Sequence, residues 1–311
     1  MADNPTIAKP AYLLNIAGVQ ISGADSTKLD IEFTIERSLT PTSNTAEILV
    51  YNLSEQTRKT MQGFDGAVPV ELHAGSDPGP IDPGWQPGLL FKGKLREITS
   101  ANQGSDWITR VSSGDGDEAN KVVSFSIGPG ASLTEAVNKL IKEMEVSIGN
   151  AKTAILGAGF LNGGGNQMPS GAVMHGSAGQ QLERLLRSMG KSYSIQNGEL
   201  QILESGKPDN QTAYVLNIDN GLVGSPEIAT IKNAAGVKVK GGCKFRSLLT
   251  SEIYPGRQVK IESKQVDGYF RVISCSYQGQ YAGPDWYVDC VSTAVKTNVV
   301  SLPAFTITAG Q

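Results

Sequence analysis

Two short stretches, two histidines and three cysteines are the places where this chain could do chemistry. "GDGDEAN", Gly114 to Asn120, groups Asp115, Asp117 and Glu118 as a calcium loop would. An EF-hand loop needs alternating ligands and a turn glycine, whereas Ala119 stands at the fifth position and Lys121 follows, so the stretch reads as a solvated strand connection. "GAGFLNGGGNQ", Gly157 to Gln167, invites a nucleotide reading because Thr153 to Leu156 has strand character ahead of it. Asn162 occupies the place of the third glycine, no helix opens to offer free amides to a phosphate, and no Lys-Ser/Thr pair follows. It reads as a loop joining two helices.

His73 falls inside a strand pattern and His175 in a glycine-rich loop, and neither has a second ligand at metal spacing, which assigns both to structure. Cys243, Cys275 and Cys290 are an odd set in a long chain and read as reduced, small core residues rather than a disulfide framework. A Gly-x-Ser-x-Gly elbow is absent, and the carboxylates are spread too evenly to mark an acid/base pair. The expectation is therefore no catalytic, cofactor-binding or metal-ligating residue: a protein that is not an enzyme.

The totals bound the rest. A chain of 311 residues, 39% hydrophobic and 18% charged, can bury a sizeable core, and 36 glycines with 15 prolines predict many turns, the profile of a β-rich protein. A formal net charge of -3 without a basic run argues against a dedicated nucleic-acid surface. The start, "MADNPTIAKPAYLLNIAGV", offers an apolar stretch only from Ala11 to Ile16 and no secretory leader, and no segment of roughly 18 apolar residues predicts a membrane span. Glycosylation is not expected at Asn52 or Asn210, although both match the acceptor pattern.

Strand patterns run over Tyr12 to Ile16, Leu29 to Arg37, Thr45 to Tyr51, Val68 to Ala74, Leu89 to Ile98 and Trp107 to Ser113, with turns rich in Gly, Pro, Asp and Ser. "SNTAEILVYNLSEQTR", Ser43 to Arg58, leads from one strand straight into a helix of about Glu55 to Gln62, with Ser54 as its N-cap and Gly63 just past its end. Such a set of strands suits a sandwich or barrel, and that helix is expected to plug one end of the barrel. "GSDPGPIDPGWQPG", Gly75 to Gly88, has too many prolines for a central strand and reads as an exposed excursion.

The middle changes character. Ser132 to Glu135 forms a capping box ahead of Leu133, Val137, Leu140, Ile141 and Met144 at helical spacing, and Ser177 to Gln180 forms another ahead of Leu182, Leu185, Leu186 and Met189, with Gly190 as a left-handed stop. In "KSYSIQNGELQIL", Asn197-Gly198 predicts a two-residue hairpin that sets Ile195 against Leu200 and Tyr193 against Ile202. Strand patterns return over Tyr214 to Ile218, Glu227 to Ile231, Gly236 to Lys240, Gln258 to Ser263, Tyr269 to Gln278 and Trp286 to Ser292. A hairpin across Gln280 to Asp285 would set Cys275 against Cys290, Tyr277 against Val288 and Ile273 against Ser292, with Ser274, Ser276 and Asp289 on the opposite face. The expected class is α+β, mainly β: a β domain over residues 1–121, an α+β domain over 122–204, a second β domain over 205–295, and an arm over 296–311.

Two passages carry a family resemblance. "LDIEFTIERSLTPTSNTAEILVYNLSEQTR" and "GVKVKGGCKFRSLLTSEIYPGRQVKIES" with "DGYFRVISCSYQGQYAGPDWYVDCVS" resemble the baseplate hub proteins of contractile-tailed bacteriophages, over most of Leu29 to Ser292. Asn44-Thr45-Ala46-Glu47, Tyr51-Asn52-Leu53-Ser54, Leu248-Leu249, Pro255-Gly256-Arg257 and Asp285-Trp286-Tyr287 carry it. The resemblance implies that the two β domains are antiparallel barrel or sandwich units of the tail-tube kind. Three chains would then present six similar units, joining a sixfold tail tube or tube-adaptor protein to a threefold central spike, with DNA only passing through the lumen.

It further implies a homotrimer in the virion tail baseplate, assembled in the host cytoplasm beside other baseplate proteins. The Gly75 to Gly88 excursion and the arm from Lys296 are the expected contacts with neighbouring tail proteins. Competing readings are a tail-tip cell-wall hydrolase, which needs an acid/base pair, and a host-glycan-binding tail protein, which needs aromatic platforms in a chain only 6% aromatic.

Overall fold

The computed structural model describes residues 9–23, 29–77, 86–150, 167–204, 206–209, 211–232 and 238–295. Within them the protein is mainly β, with short α-helices and one large sheet, antiparallel except where its shortest strand pairs in parallel. The chain begins with β1 (Lys9–Ile16), β2 (Val19–Ser22), β3 (Ile31–Ser38) and β4 (Asn44–Tyr51). Helix α1 (Glu55–Gln62) follows, then β5 (Pro69–Asp77), β6 (Leu89–Gln103) and β7 (Asp106–Asp115). After a 3-10 turn at Asp117–Asn120 come β8 (Val122–Ile127), α2 (Leu133–Met144), β9 (Ala172–Ser177), α3 (Ala178–Ser188), β10 (Lys191–Gln196) and β11 (Glu199–Glu204). The last part contains β12 (Tyr214–Leu216), β13 (Leu222–Lys232), β14 (Lys238–Leu248), β15 (Gln258–Glu262), β16 (Asp267–Gln280) and β17 (Trp286–Ala294).

Thirteen strands form one sheet, in the order β13-β14-β17-β16-β3-β4-β7-β6-β5-β1-β2, with β15 bridging β16 to β12. The N-terminal and C-terminal β regions therefore meet strand to strand: β3 pairs with β16 from Ser38 opposite Ser274 to Glu32 opposite Gln280. On β3, Ile31, Phe33 and Ile35 alternate with Glu32, Thr34 and Glu36, so one face is apolar and the other polar. The apolar faces of both regions enclose a single core that includes Tyr12, Ile35, Ile48 and Phe91 together with Val259, Phe270, Tyr277 and Val288. At the seam Phe33 packs edge-to-face on Trp286, ring centroids 5.5 Å apart. A Cβ on Gly279 would stand 2.2 Å from the Phe33 ring, so glycine lets the ring lie against the strand.

The strand-to-helix junction follows the sequence reading. Asn52 takes a left-handed φ of 56°, and its side chain ties the turn to β7 by accepting from the Trp107 amide and donating to Asp106. Ser54 then caps α1 by accepting from the Thr57 amide, and α1 buries Met61 in the core.

A second core lies over the middle segment, where α2 and α3 pack with β8, β9 and the β10–β11 hairpin around Val137, Leu140, Leu182, Leu186 and Tyr193. Asn197 and Gly198 both have positive φ, 56° and 78°, and the register sets Ile195 against Leu200 and Tyr193 against Ile202, as the turn chemistry predicts. Ser132 caps α2 through the Glu135 amide. Gly190 follows α3 at a φ of +66°, the predicted left-handed stop.

Several expectations are corrected. Ser177 does not cap α3 with its side chain, because the 3-10 turn passes close enough for its hydroxyl to donate to the Ala119 carbonyl instead. His175 lies in β9, not in a loop. Cys275 stands opposite Cys290 and Tyr277 opposite Val288, but Val272 takes the place opposite Ser292, because a bulge at Ile273 shifts the register. Strands β2, β8 and β9 are additional to the predicted set. Residues 78–85 of the proline-rich excursion, 157–166 of the glycine-rich stretch, Asn210 and the arm 296–311 lie outside the described residues.

Candidate functional site

Among the described residues, the fold brings together only one pair of the sequence's chemical candidates, Cys275 and Cys290, whose sulfurs lie 3.7 Å apart. His73 is half-buried in β5, His175 is exposed on β9, and no group of three or more metal-ligating side chains occurs among the described residues. All three cysteines are buried, and none is joined in a disulfide. What the fold does assemble is a polar sheet face and, at one end of the sheet, a buried polar joint.

The polar face runs across the seam. Over β4, β3 and the stretch of β16 from Ser274 to Gln280, alternation turns Glu47, Glu32, Thr34, Glu36, Ser276 and Gln278 away from the core. The charged groups of this strip are all carboxylates: Glu32, Glu36 and Glu47. Ser276 donates to Glu36 at 2.5 Å, and Ser112 of β7 donates to Glu47 at 2.6 Å. Burial and a hydrogen bond with Glu32 raise the Tyr51 hydroxyl above the ordinary tyrosine value.

Flanking strands balance the strip. Arg246 grips Asp289 with two bonds of 2.7 and 2.8 Å while lying 3.7 Å over the Tyr287 ring. Two open grooves mark this face. One of about 330 Å³ is lined by Glu32, Thr34, Glu47, Arg110 and Gln280, and one of about 440 Å³ by Glu36, Glu227, Lys244, Arg246 and Asp289.

The joint fastens the middle segment to the sheet. Arg37, 5% exposed, donates through Nε to Gln196 Oε1 at 3.1 Å and through Nη1 to the Leu90 carbonyl at 2.7 Å. Gln196 in turn donates to the Ser38 carbonyl. Asn44 donates to both Asp115 and the Ile195 carbonyl and accepts from the Ser38 amide. Asp115 receives the amides of Asn197 and Gly198 at 2.7 and 2.8 Å, so the hairpin turn is held by one carboxylate.

Burial lifts the Asp115 carboxyl above the usual range, opposed by these donors and by the Arg37 charge. Asp115 therefore belongs to a desolvated joint, which overturns the solvated reading of Gly114 to Asn120. The neighbouring Asp117 is the exposed part: Arg96 clasps it with bonds of 2.9 and 2.7 Å and holds its carboxyl below the ordinary value. A second attachment lies where the segment rejoins the sheet. There Tyr254 donates to Asp209 at 2.7 Å, and burial pulls the Arg271 guanidinium down to about 10.

Sequence reasoning missed the joint because its members sit in separate stretches, Arg37 to Asn44, Asp115, and Gln196 to Gly198. The one local signal was a carboxylate at the end of a strand that is otherwise uncharged from Val111 onward.

No protein-family model matches the chain, and no curated protein matches it in sequence. Its fold is shared with solved tail proteins. A tail protein from Neisseria meningitidis MC58 matches with a TM-score of 0.59 at 9% identity, over 91% of this chain and 96% of that one. The 43 kDa tail protein of prophage MuSo2 from Shewanella oneidensis matches with a TM-score of 0.58 at 10% identity, over 92% and 98%. The E. coli c3393 protein, described as a component of the type VI secretion system with structural similarity to the T4 tail proteins gp27 and gp5, matches with a TM-score of 0.59 at 9% identity, over 90% and 76%.

Proposed function

We propose that this chain is a structural tail protein, a hub subunit that joins a sixfold tube to a threefold spike. The observation that carries the reading is the β3–β16 seam. It sets two β regions side by side in one sheet, with a common core behind and a common polar face in front. Its support is the shared fold, which extends over nearly the whole length of two tail proteins.

In this reading the two regions are tube-like units, and three copies close a ring of six, as heterologous contacts do when their rotation closes. A permanent ring of this kind buries on the order of 2,000 Å² or more per interface. The spike is the partner on the threefold side, a reading favoured by the likeness to a protein described as resembling both gp27 and gp5.

The polar face then lines the channel. Phosphate binding grows with each cation that neutralises a phosphate, so a passing duplex slides best along the carboxylate strip that runs between the flanking cations Arg110 and Lys244. Glu32, Glu36 and Glu47 repel the backbone, while the Ser and Gln side chains between them keep the wall wet. The work of the protein is placement rather than chemistry: it is not an enzyme, and it acts in the tail of a virion. The likeness to a type VI secretion component favours a second setting, a bacterial injection machine with the same symmetry task, and neighbouring genes separate the two.

Native mass spectrometry and electron microscopy of the chain, alone and co-expressed with its neighbouring tail proteins, test the proposal. A three-copy ring with the Glu32–Glu36 face inward is the expected result. A ring of another order, or that face turned to the outside, overturns it.

A further inference from the structure

Cys275 and Cys290 face each other across the β16–β17 ladder, their sulfurs 3.7 Å apart. Directly opposed residues of an antiparallel pair lie about 4.5–5.5 Å apart at Cα. That spacing falls within the roughly 4.4–6.8 Å that a disulfide spans, so the ladder holds the two backbones at a separation compatible with the bond. Cys243 stands elsewhere in the ladder, opposite Ser292 and Ile228, with no sulfur facing it from either strand.

We propose that Cys275 and Cys290 are an intrachain disulfide site, open in a reducing compartment and closed by a small-molecule disulfide, that staples β16 to β17 beside the β3 seam. In the closing step one thiolate attacks the oxidant and forms a mixed disulfide, releasing one small thiol. The second cysteine then displaces the other half. Two S–H bonds are lost, one S–S bond forms, and the two electrons and two protons leave on two molecules of small thiol.

The surroundings set the rate. Both cysteines are fully buried, and burial holds the Cys290 thiol above its ordinary value, so little thiolate exists in the closed protein. Exchange waits for local opening of the β16–β17 hairpin, and it speeds up with rising pH and with mild denaturant. A chain assembled in a reducing cytoplasm keeps the pair open, and one released into an oxidising medium closes it slowly. This inference is independent of the proposed tail role.

The test incubates the full-length folded protein with excess oxidised glutathione across a series of sub-denaturing urea concentrations. Free thiols are then counted after unfolding, and intact mass is measured. The expected thiol count falls from three to one, with a mass loss of two hydrogen atoms and no glutathione adduct. In Cys243→Ser the count falls from two to none, and in Cys290→Ser no intrachain bond forms. Peptide mapping of the oxidised wild type locates the bond whether or not that variant folds. An unchanged count at every urea concentration, loss only as glutathione adducts, or a bond to Cys243 overturns the proposal.

Discussion

The seam between the two β regions and the joint beneath the middle segment are both tight, yet they are built from opposite materials. At the seam, β3 and β16 exchange backbone hydrogen bonds, and behind them Phe33, Ile35, Tyr277 and Trp286 share one apolar core. At the joint, Arg37, Asn44, Asp115 and Gln196 are all buried, and each hydrogen-bonds across to the other element. Apolar packing is non-directional, so register at the seam comes from the ladder. A desolvated polar network is directional and tolerates one geometry. The difference teaches that the β regions are fused as a continuous sheet, while the middle segment is docked at a fixed angle onto it.

The largest expected effect breaks the seam. Phe33→Ala removes a nearly fully buried ring and its contact with Trp286, and it should cost about 3–5 kcal/mol in denaturant unfolding. Because the core is shared, both β regions should lose hydrogen-exchange protection together. Protection lost in only one of them would show that the seam does not couple them.

The next effect breaks the joint. Asp115→Ala leaves the Asn197 and Gly198 backbone amides without their acceptor and strips the Asn44 side-chain nitrogen of one of its two, the Ile195 carbonyl remaining, at a cost of roughly 3 kcal/mol. Hydrogen exchange should rise at the β10–β11 turn while the sheet stays protected. Loss of protection spread evenly over both would refute the view that the joint is a separate attachment.

The smallest effect sharpens the picture at the exposed rim of the joint. Arg96 holds the Asp117 carboxyl below its unfolded value, so this pair contributes stability above the ordinary carboxylate range and loses it as pH falls through the depressed folded value. Both side chains are partly exposed, which limits the gain to about 0–1 kcal/mol. Asp117→Asn should flatten only the acid end of the stability profile and leave docking of the hairpin intact. A neutral-pH change as large as that of Asp115→Ala would place Asp117 inside the joint.

Much of the fold was legible locally. Asn197-Gly198 selects its turn because both residues tolerate positive φ, and that turn fixes the β10–β11 register. Ser54 and Ser132 announce their helices because an unpaired amide needs an acceptor within a few residues. The pairing of Cys275 with Cys290 could be counted from a hairpin loop, but the bulge at Ile273 could not, since both Val272 and Ile273 are apolar β-formers and either fits the core face. Asp115 was misjudged because a carboxylate beside Asp117 and Glu118 looks solvated until a distant turn covers it.

What the sequence by itself determined is the set of elements: strands with one apolar face, capped helices, a two-residue turn and the absence of a catalytic motif. Such signals act within a few residues, where backbone geometry and side-chain alternation are decided. Only the tertiary structure decided that β3 lies against β16, that three carboxylates line one strip of a shared polar face, and that Asp115 holds a turn from another part of the chain. Those contacts join residues far apart in the chain. They are chosen by which faces remain to be buried once the elements exist, a choice that no local pattern encodes.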